Sequence, residues 1–188
     1  MKKASKFFFA GFSFMEVMLS VFVLSIGIVG VMPLFVSSLR ESLDIRDQVA
    51  ASMLAQEGVE LVQNFRDNNR VSEASEGVFD SSTFPTTSSD NCWVSYDSNG
   101  VSCDGTYRLN LDANNFYIHN AIGTSATKFQ RSIEIEYKKM DDDVTDNAGA
   151  EKAIVTSMVI WGSAFPDAIN DCNTAHKCVY ASLVLTNW

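Results

Sequence analysis

Hydrophobic and polar positions divide the chain into three stretches with three different periods. Phe12–Val36 is almost wholly apolar, with Glu16 as its single ionisable side chain in 25 residues. A helix of that length reaches roughly 37 Å, enough to cross a ~30 Å hydrocarbon core. Past Pro33 the apolar density falls and a helical period takes over. Leu39, Leu43, Ala50, Leu54, Gly58, Leu61 and Phe65 fall on one helix face. Glu41, Gln48, Ser52, Gln63 and Arg66 face away, and Asp47 interrupts the stripe where the helix has not yet met a head. The pattern predicts helix as far as Arg66, stopped by Asp67-Asn68-Asn69. From Phe12 to Arg66 such a helix would be roughly 80 Å long.

The remainder reads differently. Residues 68–106 are rich in Ser, Thr, Asp, Asn and Gly, and the run from Ser81 to Ser89 is a loop by composition. Residues 107–188 then show strand-like alternation. Tyr107, Leu109 and Leu111 form one strand, Asp112–Asn115 a turn, and Phe116–His119 a short partner. Phe129, Arg131, Ile133, Ile135 and Tyr137 share one face of a second long strand, with Ser132, Glu134 and Glu136 on the other. Ala153–Trp161 and Val179–Thr186 supply two more. The expected fold is α+β: a long N-terminal helix, apolar then amphipathic, packed on a roughly four-stranded antiparallel sheet.

Charge narrows the function. The 188 residues carry 14 Lys plus Arg against 23 Asp plus Glu, a formal net charge of −9. An acidic chain is a poor sequence-independent binder of nucleic acid, which needs basic side chains against phosphates. No phosphate loop, dinucleotide fingerprint, paired-carboxylate signature or nucleophile–base pair is present, and His119 and His176 are isolated. The expectation is a protein without catalytic residues, cofactor or metal. Asp141–Asn147 could ligate calcium but departs from the EF-hand spacing, and reads as a solvated hairpin loop.

Lys2, Lys3 and Lys6 precede the apolar stretch. The positive-inside rule therefore places the N-terminus in the cytoplasm and the residues after Val36 outside. A secretory signal would end in a small-residue cleavage site, and none follows Val36. A plain anchor has no use for Glu16, because a carboxylate in a membrane helix costs about 2.5–3.5 kcal/mol. A buried helix of a soluble protein is disfavoured by the length.

The residues around that glutamate, Gly11-Phe12-Ser13-Phe14-Met15-Glu16-Val17 behind a short basic leader, resemble the processing site of type IV prepilins. Leu54–Asn69 is similar, less specifically, to a segment of PilV-like pilins. The resemblance implies a leader of residues 1–11 removed after Gly11 by the prepilin peptidase, and N-methylation of Phe12. It further implies polymerisation through the helix, with Glu16 pairing a neighbour's N-terminus, and a bend or extended segment within Gly27, Gly30 and Pro33 in the filament. The implied partners are other pilins, the peptidase/methyltransferase and the assembly platform at the cytoplasmic membrane, from which the subunit passes to a surface filament. A pseudopilin of a secretion or competence machine shares these features. A membrane-anchored binding domain that never polymerises is the alternative of another class.

Cys92, Cys103, Cys172 and Cys178 make an even count in an exported head, which favours disulfides. Three connectivities exist, of which the local pairs Cys92–Cys103 and Cys172–Cys178 are preferred; the second would staple the loop before the last strand, as in many pilins. Zinc held by Cys172, His176 and Cys178, or reduced buried thiols, are the rival readings.

Overall fold

The computed structural model describes residues 13–71, 79–104, 107–119, 125–139, 142–143, 146–147, 149–162, 172 and 177–187. The chain divides into two compact units, one up to Ile45 and one over Arg46–Trp188. A single helix, α1 (Phe14–Val71), is followed by seven strands. These are β1 (Ser89–Cys92), β2 (Arg108–Leu111), β3 (Tyr117–Ile118), β4 (Ser125–Lys139), β5 (Asp142–Asp143), β6 (Lys152–Trp161) and β7 (Cys178–Thr186).

Between Leu34 and Val71 the helix has no proline and one glycine, so nothing local breaks it. It outruns the expected stop by five residues. Asn68 donates to the Asn64 side-chain oxygen at 2.8 Å, and Asn69 is buried and donates to Thr83 Oγ1 at 2.6 Å. Asparagines that would end an isolated helix here spend their amides on the helix surface and on the head.

The sheet is antiparallel, in the order β3-β2-β4-β6-β7, with β1 and β5 also paired to β4. One edge of β4 is covered without a bulge by β6, from Phe129↔Trp161 to Lys138↔Lys152. Its other edge is shared by three short strands: β2 opposite Ser125–Gln130, β1 opposite Ile133 and Ile135, and β5 opposite Lys138 and Lys139. The sheet is therefore wider than the four strands expected. Ser89–Cys92 carries no apolar alternation and is extended because Ile133 and Ile135 offer it an edge. Asp142 and Asp143 lie opposite Lys139 and Lys138, so that these two residues of the acidic run are paired strand rather than open loop.

The helix packs on the odd-numbered face of β4 and β6 through two apolar clusters. Ala51, Leu54 and Ala55 meet Leu109, Phe129, Val159 and Trp161. Val62 meets Ile133, Ile135, Tyr137 and Val155, with Phe79 and Phe84 closing the edge. Leu54 and Gly58 are buried as the stripe requires, Leu61 and Phe65 are only half covered, and Leu39 and Leu43 are exposed. The row 51, 55, 59, 62 forms the true centre. Asp47 does not mark a gap: its carboxylate pairs with the Lys128 ammonium on β4 at 2.5 Å.

Between the clusters lies Arg131, wholly buried. One guanidinium nitrogen donates to the Leu54 carbonyl at 3.1 Å, and the other donates to the Val94 carbonyl at 2.6 Å. Glu57 approaches to 3.6 Å. Burial lowers the Arg131 pKa and the Glu57 charge opposes that shift; a guanidinium stays protonated regardless. The Leu54 carbonyl is reachable because residue 58, one turn on, is a glycine. A Cβ there would collide with Ser157 Oγ and come within 3.0 Å of Arg131 Cδ and 3.1 Å of Ile133 Cδ1.

Disulfides join Cys92 to Cys103 and Cys172 to Cys178. The first ties β1 to a loop that also bonds Trp93 to Ser102 through both backbone amides. With its cysteines engaged, the Cys172 and Cys178 sulfurs offer no thiolate to zinc. Replacing both Cys92 and Cys103 by Ser should lower head stability by about 3 kcal/mol on the loop-entropy estimate for a loop of this size, read as a shift in the denaturant midpoint. A midpoint unchanged by that double substitution, at unchanged m-value, would contradict it.

Candidate assembly site

The apolar half of α1 has a definite local chemistry. Helix begins at Phe14, with the Glu16 and Val17 amides bonded to the Ser13 carbonyl at 3.0 and 3.2 Å. Glu16 sits in the first turn, where the positive end of the helix dipole favours an anion. The two hydroxyls in the stretch turn inward. Ser20 Oγ donates to the Glu16 carbonyl at 2.6 Å, and Ser25 Oγ donates to the Val21 carbonyl at 2.7 Å. Their polarity is thereby satisfied within the helix, as hydrocarbon surroundings demand. Glu16 remains the one charge among the described residues up to Val36.

Every described side chain from Phe14 to Val36 is exposed in the single chain. Large apolar groups such as Phe14, Leu24, Val29 and Leu34 each leave more than three-fifths of their surface uncovered. The segment passes the length and hydropathy requirements for one membrane span. A groove opens along it around Gly27, between Val23 and Phe35.

Gly27 and Gly30 are the informative positions. A Cβ at either would meet nothing within 4 Å. Each costs a helix about 1 kcal/mol against alanine, and no contact of the chain itself requires it. Helix continues unbroken through both and through Pro33. Among the described residues, both glycines have open space where a side chain would stand, on a face that is exposed throughout.

No family model, curated protein or solved structure matches this chain. The functional reading rests on its own residues. Of those, Gly11 and Phe12, with the rest of residues 1–12, lie outside the described residues, as do His176, Asp141 and Trp188. Glu16, Gly27, Gly30 and Pro33 share the exposed apolar segment. The four cysteines are elsewhere, in the head, and are structural. Among the described residues no group of three or more His, Cys, Asp or Glu side chains could hold a metal.

Two features went unread in the sequence. One is the reach of Arg131 from its strand to a helix carbonyl, signalled only by a charged residue at an in-facing position opposite a helix glycine. The other is an exposed aromatic pair on the head, Tyr96 and Phe116, which sequence spacing alone cannot bring together.

Proposed function

We propose that the chain is a structural subunit of a type IV pilus or pilus-like filament, held in the cytoplasmic membrane before it polymerises. The observation that carries the reading is a single carboxylate, five residues after Gly11, at the head of an apolar helix segment whose described side chains are all exposed as far as Val36. Removal of residues 1–11 creates an ammonium at Phe12, at the end of a helix where a cation is disfavoured. Glu16 of a neighbouring subunit neutralises it, and the need to pair both charges in apolar surroundings selects one axial register. The subunit is then a substrate of the peptidase and methyltransferase, not a catalyst. The mature subunit becomes part of an extracellular filament, and its acidic head gives it no general affinity for nucleic acid. A pseudopilin role in a secretion or competence machine uses the same N-terminal chemistry.

Mass spectrometry of the protein from its native membrane tests this directly. The expected N-terminal peptide begins at Phe12 and carries one added methyl group. A chain that keeps Met1 and its three leader lysines has no such ammonium, and is the membrane-anchored binding domain instead.

A further inference from the structure

The Tyr96 and Phe116 rings lie 5.2 Å apart at 54°, and their residues are 49% and 56% exposed. Two adjacent rings open to water on a folded head offer the kind of aromatic surface that interfaces use. They are held rigidly. Phe116 ends the loop between β2 and β3, where one Asp112 carboxylate oxygen accepts from the Asn114 and Phe116 amides at 2.8 Å each. The other accepts from the Tyr96 hydroxyl at 2.6 Å. The Asp112 amide donates to the Phe116 carbonyl at 3.0 Å, and Asn115 takes a φ of 66°, which asparagine tolerates.

The surroundings are negative. The Tyr96 hydroxyl and the loop amides hold the Asp112 carboxyl below the usual carboxylate range, so it stays charged. Exposed Asp97 lies close enough to help raise the Tyr96 hydroxyl pKa, a shift whose main cause is the bond to Asp112. Among the described residues no lysine or arginine pairs with either carboxylate. Asp112 already accepts from two amides of its own loop and from the Tyr96 hydroxyl, so what it offers a ligand is charge rather than hydrogen-bond geometry.

We propose that Tyr96, Phe116, Asp97 and Asp112 form a docking site for an arginine or lysine side chain on a basic segment of a partner protein. Ring faces attract a cation through their quadrupole, and the two carboxylates add a field of the same sense. A neutral sugar would stack on the rings but carries no charge for the two carboxylates to attract. The site does not rest on the filament reading.

The test uses the full chain in zwitterionic detergent micelles, titrated at low salt with a capped glycine peptide carrying two arginines. The readouts are calorimetry and the Tyr96 and Phe116 ring resonances. The arginine peptide is expected to bind and to shift both rings. A matched glutamate peptide and a neutral oligosaccharide are expected to leave them unmoved. Phe116→Leu and Asp97→Asn, which keep bulk and shape, should each weaken binding about two- to fivefold. Glu60→Gln, at an exposed carboxylate on α1, should not change it. No binding, equal weakening by Glu60→Gln, or preference for the oligosaccharide would overturn the proposal.

Discussion

Gly58→Leu is expected to lower the stability of the head by about 3–5 kcal/mol, overpacking and a lost buried hydrogen bond together, which moves its melting temperature down by about 10 °C or more. The reason is geometric. At residue 58 α1 lies close against the sheet, over Ser157 on β6 and Ile133 on β4, which are register partners. Even the first carbon of a side chain has no room there. Three atoms oppose it: the Ser157 hydroxyl, the Arg131 stem and the Ile133 methyl. None is the loose end of an exposed chain, because all three residues are buried. To admit a leucine the helix must lift, which breaks the bond from Arg131 to the Leu54 carbonyl and loosens the apolar clusters on both sides. Overpacking alone costs about 1–3 kcal/mol, and stranding part of a buried guanidinium adds to it.

Gly58→Ala separates this account from a simpler one. Helix propensity alone predicts a gain of about 1 kcal/mol. Contact with Ser157 and Arg131 predicts a net loss of about 1–2 kcal/mol. Gly27→Ala, where a Cβ meets nothing, should only raise helicity in the isolated subunit. The same substitution thus carries opposite signs at two positions of one helix. Near-UV circular dichroism melts of the head would read the first, and far-UV ellipticity the second. Ser157→Ala in the Gly58→Ala chain removes the atom nearest the new Cβ and should restore part of the loss. If Gly58→Ala melts higher than the parent, the close approach is not what that glycine is for.

How legible these features were depends on whether their cause was local. The long strands showed themselves in two ways: β4 alternates, so that Phe129, Ile133, Ile135 and Tyr137 were marked by period alone, whereas β6 buries Thr156 and Ile160 as well as Val155 and Val159 and showed itself as an apolar, β-branched run. That period even placed Arg131 among the in-facing residues, although it could not say that carbonyls of α1 and of the loop after β1 would hold the charge there. The helix stripe was caught half a row off. Alanines at 51 and 55 look neutral in sequence, yet a small-residue row is what lets a helix settle onto a sheet beside Gly58. Ser89–Cys92 gave no signal, because its extended form comes from the edge of β4 and from the Cys92–Cys103 bond rather than from its own side chains. In the apolar half of α1 the chemistry was visible at once, since a lone carboxylate among apolar residues stands out whatever the fold.

On the filament reading proposed above, Glu16→Val should have two effects of opposite sign. Insertion into the membrane becomes easier, because the carboxylate that cost about 2.5–3.5 kcal/mol is gone. Helix formation is little affected, since the Glu16 side chain is exposed and it is the Glu16 backbone that bonds to Ser13 and Ser20. Incorporation into filaments becomes harder, because the ammonium at Phe12 of each processed subunit would enter apolar packing unpaired. Removing one partner of a buried ion pair typically costs about 3–5 kcal/mol, which corresponds to roughly a hundred- to several-thousandfold loss of incorporation. A cell producing wild-type and variant chains in equal amounts, each distinguishable by mass, reads both effects at once. Membrane fractions should contain the two equally, both cleaved after Gly11, while sheared filaments should contain almost only the wild type. A plain membrane anchor predicts the reverse, with the variant at least as abundant wherever the protein is found. Equal representation in the filaments would mean that Glu16 is not the partner of the new N-terminus, and that the register of subunit addition is set instead by packing along the apolar groove at Gly27.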